Sequence, residues 1–186
     1  MRNILMMFSF MMLANPAWAG QAKAVIQGTS AESKISGEVL MTQENGGVTV
    51  VAKLAHLTPG KHGFHVHENG SCADAGKAAG GHFNPDKMAH GFMPKDGLMY
   101  AHPGDMGNLE AGADGKATLK VFLPGITLNQ GRYAVVGKSV IVHEKEDDFS
   151  QPTGNAGARV GCGLITVWPP PADPFSNAAV PGKNGK

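Results

Sequence analysis

The chain's eight histidines all fall between His56 and His143. His65-Val66-His67 is the sharpest local feature. On a strand, residues i and i+2 share one face, about 6.6–7 Å apart at their Cα atoms. Two imidazoles can then converge on one metal while Phe64 and Val66 face the core. Alone, such a pair is weak evidence. His82, His90, His102 and Asp105 change the balance, because three imidazoles and one carboxylate fit a closed tetrahedral zinc site. Asp105 follows His102 by three residues, so one turn can bring both to the same ion. Metal binding would also keep a glycine-rich loop ordered, since it supplies folding energy; the competing reading is a set of solvated loop histidines. His143 closes the run Val140-Ile141-Val142-His143 and could join His65 and His67 from another strand. A histidine-rich site with an open position suits copper, which tops the divalent affinity order. His56 and His62 have no partner at a telling spacing and read as structural or surface residues.

These residues need elements to carry them. No stretch after Gly20 sustains a helical period, whereas several alternate like strands. Ala22 to Gln27, Lys34 to Thr42 and Val48 to Leu57 are predicted strands, the last two joined at Asn45-Gly46-Gly47, a good hairpin turn. Gly63 to Glu68 is a short strand. Asn108 to Ala111 and Lys116 to Leu123 flank a second turn at Asp114-Gly115. Tyr133 to His143 and Val160 to Trp168 complete the set. About eight short strands with glycine-rich turns predict an all-β antiparallel sandwich or barrel. Two connections are long: Asn69 to Asp105, rich in Gly, Pro, Ala and His, and Glu144 to Ala158. A loop of the first kind in a compact domain is either functional or disordered, and its histidines favour function.

Lys and Arg number 16 against 15 Asp and Glu, which argues against a general nucleic-acid binder. A hydrophobic share of 42% suffices for a real core. Arg2, the apolar run Ile4 to Leu13 and the small residues of Ala17-Trp18-Ala19 read as a signal peptide over residues 1–19, cleaved after Ala19. The apolar run, about ten residues, is too short for a membrane span of roughly 20. Cleavage leaves a nearly neutral domain over residues 20–168, and export predicts a periplasmic or other oxidising location. There Cys72 and Cys162, the only two cysteines, can pair. Residues 169–186, opening on Pro169-Pro170-Pro171, read as an extended or disordered tail.

The ordered motifs resemble the copper/zinc superoxide dismutase family from about Ala22 to Trp168. Gly63-Phe64-His65-Val66-His67-Glu68 is similar to its copper-ligand strand and Gly81-His82-Phe83-Asn84-Pro85 to its bridging-histidine segment. His90 and His102-Pro103-Gly104-Asp105 resemble the zinc loop, and Val142-His143-Glu144 the last copper ligand. The run from Gly154 to Gly163 resembles the C-terminal signature. Cys72 in Gly-Ser-Cys looks like the exported bacterial branch.

The resemblance implies a Greek-key barrel or sandwich and an enzyme that converts superoxide to oxygen and hydrogen peroxide by copper redox cycling. It implies copper on His65, His67, His82 and His143, and zinc on His82, His90, His102 and Asp105, with His82 bridging. It implies a Cys72–Cys162 disulfide, Arg159 beside the copper, and Asp147 hydrogen-bonded to His65 and His90. Two departures stand out: His90 to His102 is long, with Met-Pro-Lys-Asp-Gly-Leu-Met-Tyr inserted, and Glu144 to Thr153 is short. Competing readings are a non-catalytic copper-binding module on the same fold and a secreted β domain that uses zinc for stability. A homodimer and a monomer are both compatible with the sequence.

Overall fold

The computed structural model describes residues 20–169. The expected leader (1–19) and the tail beyond 169 lie outside the described residues. Among the described residues nine strands form: β1 (Gln21–Gly28), β2 (Ser36–Glu44), β3 (Gly47–Ala55), β4 (Gly60–His67), β5 (Asp105–Ala111), β6 (Ala117–Pro124), β7 (Ser139–His143), β8 (Arg159–Leu164) and β9 (Thr166–Trp168). One short helix, α1 (Met93–Asp96), and a 3-10 turn at Lys77–Ala79 sit in the long loop. Eight strands close in the order β2-β3-β6-β5-β4-β7-β8-β1, with β1 pairing back onto β2 and β9 extending along β1. Every pairing between these strands is antiparallel. The connections from β3 to β4 and from β6 to β7 each skip two strands, which makes the barrel a Greek key.

Alternation explains the closure. Ala22, Ala24 and Ile26 of β1 and Val48, Val50, Ala52 and Leu54 of β3 point inward and are buried. Each large apolar side chain so buried stabilises the fold by roughly 1.5–3 kcal/mol. On β4, Phe64 and Val66 fill this interior. His65 and His67 point outward yet are 0% and 1% exposed, because the two long loops cover them. The functional residues thus occupy a second, polar interior between barrel wall and loops.

Three elements differ from the sequence expectation. Of Tyr133 to His143 only Ser139–His143 is strand: Gly137, at φ 84°, interrupts the extended chain, and Val135 and Val136 instead pair with Thr127 and Leu128. The final run splits at Ile165, whose buried side chain turns into the core. The inserted segment after His90 is not structureless; it folds as α1, with Met93 in the core and the Phe92 amide donating to Asp96 Oδ2 at 2.8 Å. The turn of helix takes up the extra residues, so His90 and His102 still meet, with ring centroids 5.3 Å apart.

Candidate metal centre

The long loop is tied to β4 by backbone pairing. Val66 N donates to Gly104 O at 2.9 Å, Phe83 N donates to Val66 O at 2.8 Å, and His67 and His82 form a bridge. The approach is so close that a Cβ on Gly104 would collide with Val66 O and lie 3.1 Å from Phe83 N. Irregular register at Gly63/His65 and Val142/His143 re-aims the ends of β4 and β7.

Two donor clusters result, each with its ligand atoms within 4.8 Å of one another: His65, His67, His82 and His143, and His82, His90, His102 and Asp105. All seven residues are buried. His82 belongs to both. Its Nδ1 is 2.8 Å from Asp105 Oδ1 and 3.4 Å from His102 Nδ1, which leaves the opposite edge of the ring, Nε2, for the four-histidine cluster. Asp105 also takes His90 Nδ1 at 2.8 Å and accepts the backbone N–H groups of Gly91 and His102.

The other ring nitrogens are oriented by the frame. His67 Nδ1 donates to Gly80 O at 3.0 Å and His143 Nδ1 to Gly157 O at 3.3 Å, so both present Nε2 to the cluster, 3.4 Å apart. Asp147 joins the two clusters, with Oδ2 2.8 Å from His65 Nε2 and Oδ1 2.9 Å from His90 Nε2. Asn108 holds Asp147 in turn, through its main-chain N–H and C=O. Gly154 makes this geometry possible: at φ 74°, its Cβ would be driven into Asp147 Oδ1 and lie 2.7 Å from His90 Nε2.

The donor set fits copper and zinc. With Nε2 given to Asp147, His65 Nδ1 is the buried side-chain polar atom that lacks a hydrogen-bond partner among the described residues, a cost that a metal would remove. Three imidazoles and a carboxylate match closed zinc coordination, and four imidazoles suit copper. Three of the imidazoles, those of His67, His82 and His143, are held in the metal-binding, neutral form. Burial pushes His67 down to about 2, helped by the charge of His82 and opposed by the Gly80 carbonyl. Burial likewise takes His143 to about 3, and His82 to about 4 against the pull of Asp105. At His90 burial again pushes down, but the hydrogen bonds and charges of Asp105 and Asp147 win and raise it to about 9. Burial alone would raise Asp105 and Asp147; their histidine partners hold both well below the usual carboxylate range.

A stability profile follows for the metal-free protein. Between the ordinary histidine value near 6.5 and the depressed values of His67, His82 and His143, only the unfolded chain binds those protons. Their contribution is complete above about 6.5 and falls as the pH drops toward 4. The raised His90 acts in the other window: its contribution is complete below about 6.5 and is lost up to about 9. The melting temperature of metal-free protein should therefore fall on the order of 10 °C between pH 7 and pH 4.5. A flat calorimetric profile over that range would contradict neutral buried rings.

Above the four-histidine cluster opens a cleft of about 410 Å³ lined by His67, His82, His143, Thr153, Asn155, Gly157 and Arg159, among others. Arg159 makes no carboxylate pair among the described residues. Its Nη1 donates to Gly76 O at 2.6 Å and Lys77 O at 3.2 Å, and its Nη2 to Gly80 O at 2.6 Å. Those carbonyls belong to the loop that Cys72 fastens to β8 through its disulfide with Cys162. The guanidinium charge is thus fixed over the cleft and left uncancelled. His56 is exposed, whereas His62 is buried and not isolated, its Nδ1 donating to His143 O at 2.8 Å. No sequence spacing signals that brace, which arises from β4 lying beside the end of β7. Sequence reasoning also missed Gln151, whose side chain contacts the His90 backbone.

A Greek-key barrel whose wall and loops enclose two metal-binding clusters sharing one imidazole defines a dinuclear metalloenzyme class. The family model described as copper/zinc superoxide dismutase matches residues 35–165. A relative named Superoxide dismutase [Cu-Zn] 2, from Mesembryanthemum crystallinum, is 42% identical over 153 residues, covering 78% of this chain and 94% of the relative. The chain belongs to the copper/zinc superoxide dismutase family, oxidoreductases that act on superoxide with copper and zinc as cofactors.

Proposed function

We propose that copper occupies the His65, His67, His82 and His143 cluster and zinc the His82, His90, His102 and Asp105 cluster, and that the enzyme converts superoxide to dioxygen and hydrogen peroxide outside the cytoplasm. The observation that carries this reading is the membership of His82 in both clusters. Bound copper supplies one-electron cycling between Cu(II) and Cu(I), while zinc has no redox chemistry. Two superoxide anions and two protons then give one dioxygen and one hydrogen peroxide. His82 takes up a proton at Nε2 in the half-cycle that releases dioxygen. It gives that proton up in the half-cycle that forms peroxide, with the second proton from water. Its Nδ1 stays fixed on the Asp105 side, which keeps the ring in place throughout. Asp147 orients His65 and His90 from behind, the usual role of an outer carboxylate.

Arg159 attracts the anion to the cleft and positions it by hydrogen bonds. Superoxide dismutases are among the known examples of enzymes near the diffusional ceiling; in that regime a charge at the mouth acts on the association rate. Arg159→Glu should lower the rate constant at low salt by more than about tenfold, with the deficit shrinking as salt screens the charge. Pulse radiolysis across ionic strength measures this, and an unchanged rate would refute the role.

The location rests on the leader: residues 1–19 act as a cleaved signal, residues 20–168 form the exported enzyme with no stable membrane anchor, and the proline-rich tail follows. Protein recovered outside the cytoplasm with Gly20 at its N-terminus supports this; a cytoplasmic chain retaining Met1 or Arg2 overturns it. For the chemistry, copper and zinc are measured after purification alongside superoxide decay. About one of each metal per chain with accelerated decay is expected. Zinc alone, or full metal content with spontaneous decay, defeats the proposal.

A further inference from the structure

We propose that Phe149 and Gln151 form a latch on His90 that sets how fast zinc leaves its cluster; the inference rests on the reading that zinc occupies that cluster. His90 is held at five points. Its ring nitrogens face Asp105 and Asp147, as described. Its backbone is gripped by Gln151: His90 N donates to Gln151 Oε1 at 3.0 Å, and Gln151 Nε2 donates to His90 O at 2.9 Å. One side-chain amide thus pairs with His90 as a neighbouring strand would. Phe149 stacks beside the imidazole in a nearly parallel, offset arrangement, with ring centroids 6.2 Å apart and planes inclined by 20°. Phe92 closes the outer side, edge-on to Phe149 at 6.0 Å.

Phe149 sits there against local preference. Its φ is 59°, a left-handed backbone that bulky residues rarely adopt, and 42% of its surface is exposed. Phe149 N donates to Asp147 Oδ1 at 2.8 Å, so the same carboxylate that binds the His90 ring also fixes the residue that stacks beside it. Gly107 leaves room for the aromatic pair, since a Cβ there would lie 2.8 Å from the Phe92 ring and 3.9 Å from Phe149. The segment is short between Asp147 and Gly154, and Gly154 N closes it by donating to Ser150 O at 2.7 Å. For zinc to leave, His90 must swing away from Asp105, and Gln151 and Phe149 oppose that swing, one gripping the backbone and the other stacked beside the ring.

The test uses the metal-loaded enzyme and follows transfer of zinc to a chromogenic chelator at pH 7. Gln151→Ala and Phe149→Ala should each release zinc roughly tenfold faster, and the double variant up to about a hundredfold faster, the range known for outer-shell substitutions. Phe149→Gly relieves the left-handed backbone while removing the ring, so it too should release zinc faster. Slower release from Phe149→Gly would show that backbone strain matters and the ring does not. Cobalt(II) placed in the zinc cluster provides a spectroscopic signature, and its visible bands should shift in Gln151→Ala. Unchanged release from both alanine variants, even with a lower melting temperature of the metal-free protein, would overturn the latch alone. Failure of the unaltered protein to bind zinc or to give a tetrahedral cobalt spectrum would overturn both the latch and the zinc assignment.

Discussion

His82→Ala is expected to lower the rate of superoxide dismutation at least about a hundredfold, the scale on which a positioned proton donor acts. The ring has two edges and both are in use: Nδ1 meets Asp105 Oδ1 at 2.8 Å, and the residue also completes the four-histidine cluster. On the proposed assignment, removing it deletes one ligand from each cluster and the proton carrier between them. His65, His67 and His143 persist on the barrel wall, so copper should still bind. The zinc cluster keeps His90, His102 and Asp105 but loses its closed fourfold set, so zinc affinity should fall as well. Metal content by elemental analysis and superoxide decay by pulse radiolysis separate the two consequences. If the variant retained copper and worked within about twofold of the unaltered enzyme, the shared imidazole would have no part in the chemistry.

The second large effect concerns the disulfide. Cys72→Ser opens a ring that links positions 90 residues apart, and in the chain-entropy account such a closure is worth about 4–5 kcal/mol. The melting temperature should drop accordingly, but the consequence for function is more specific. Arg159 is aimed by the carbonyls of Gly76, Lys77 and Gly80, on the loop that the disulfide fastens. Hydrogen bonds still hold the two ends of that loop, Ser139 Oγ donating to Asn69 O at 2.7 Å and Asn69 N to Ala79 O at 2.9 Å, but the stretch between them that carries Gly76 and Lys77 loses its covalent tie to β8. The freed segment should let the guanidinium wander, and the rate constant at low salt should fall several-fold. Contacting groups that act as a unit are non-additive, so Cys72→Ser should cost little further activity in an Arg159→Ser background. Equal losses in both backgrounds would show that the disulfide acts on stability alone.

Most strands are legible because a barrel wall with one buried face imposes period-2 alternation, and Ala22-Ala24-Ile26 or Val48-Val50-Ala52-Leu54 state it directly. Where that signal fails the cause is local. Val135 and Val136 look like strand, yet Gly137 turns the chain before it can pair with β4. Met93 to Asp96 looks like loop, and its single helical turn is too short to show a period.

The types and order of the metal-binding residues belong to the sequence itself, since imidazole and carboxylate carry their coordination chemistry wherever they stand. The sequence also contains the two cysteines and the alternating wall that must carry His65 and His67. Only the tertiary structure decides which nitrogen of each ring faces which cluster, because that depends on partners such as Gly80, Gly157 and Asp147, remote in the chain. It alone decides that Arg159 leans on backbone carbonyls and that Gln151 grips His90. Those contacts arise from strand register, bulges and the close approach of loops that glycine permits, and no local spacing encodes them.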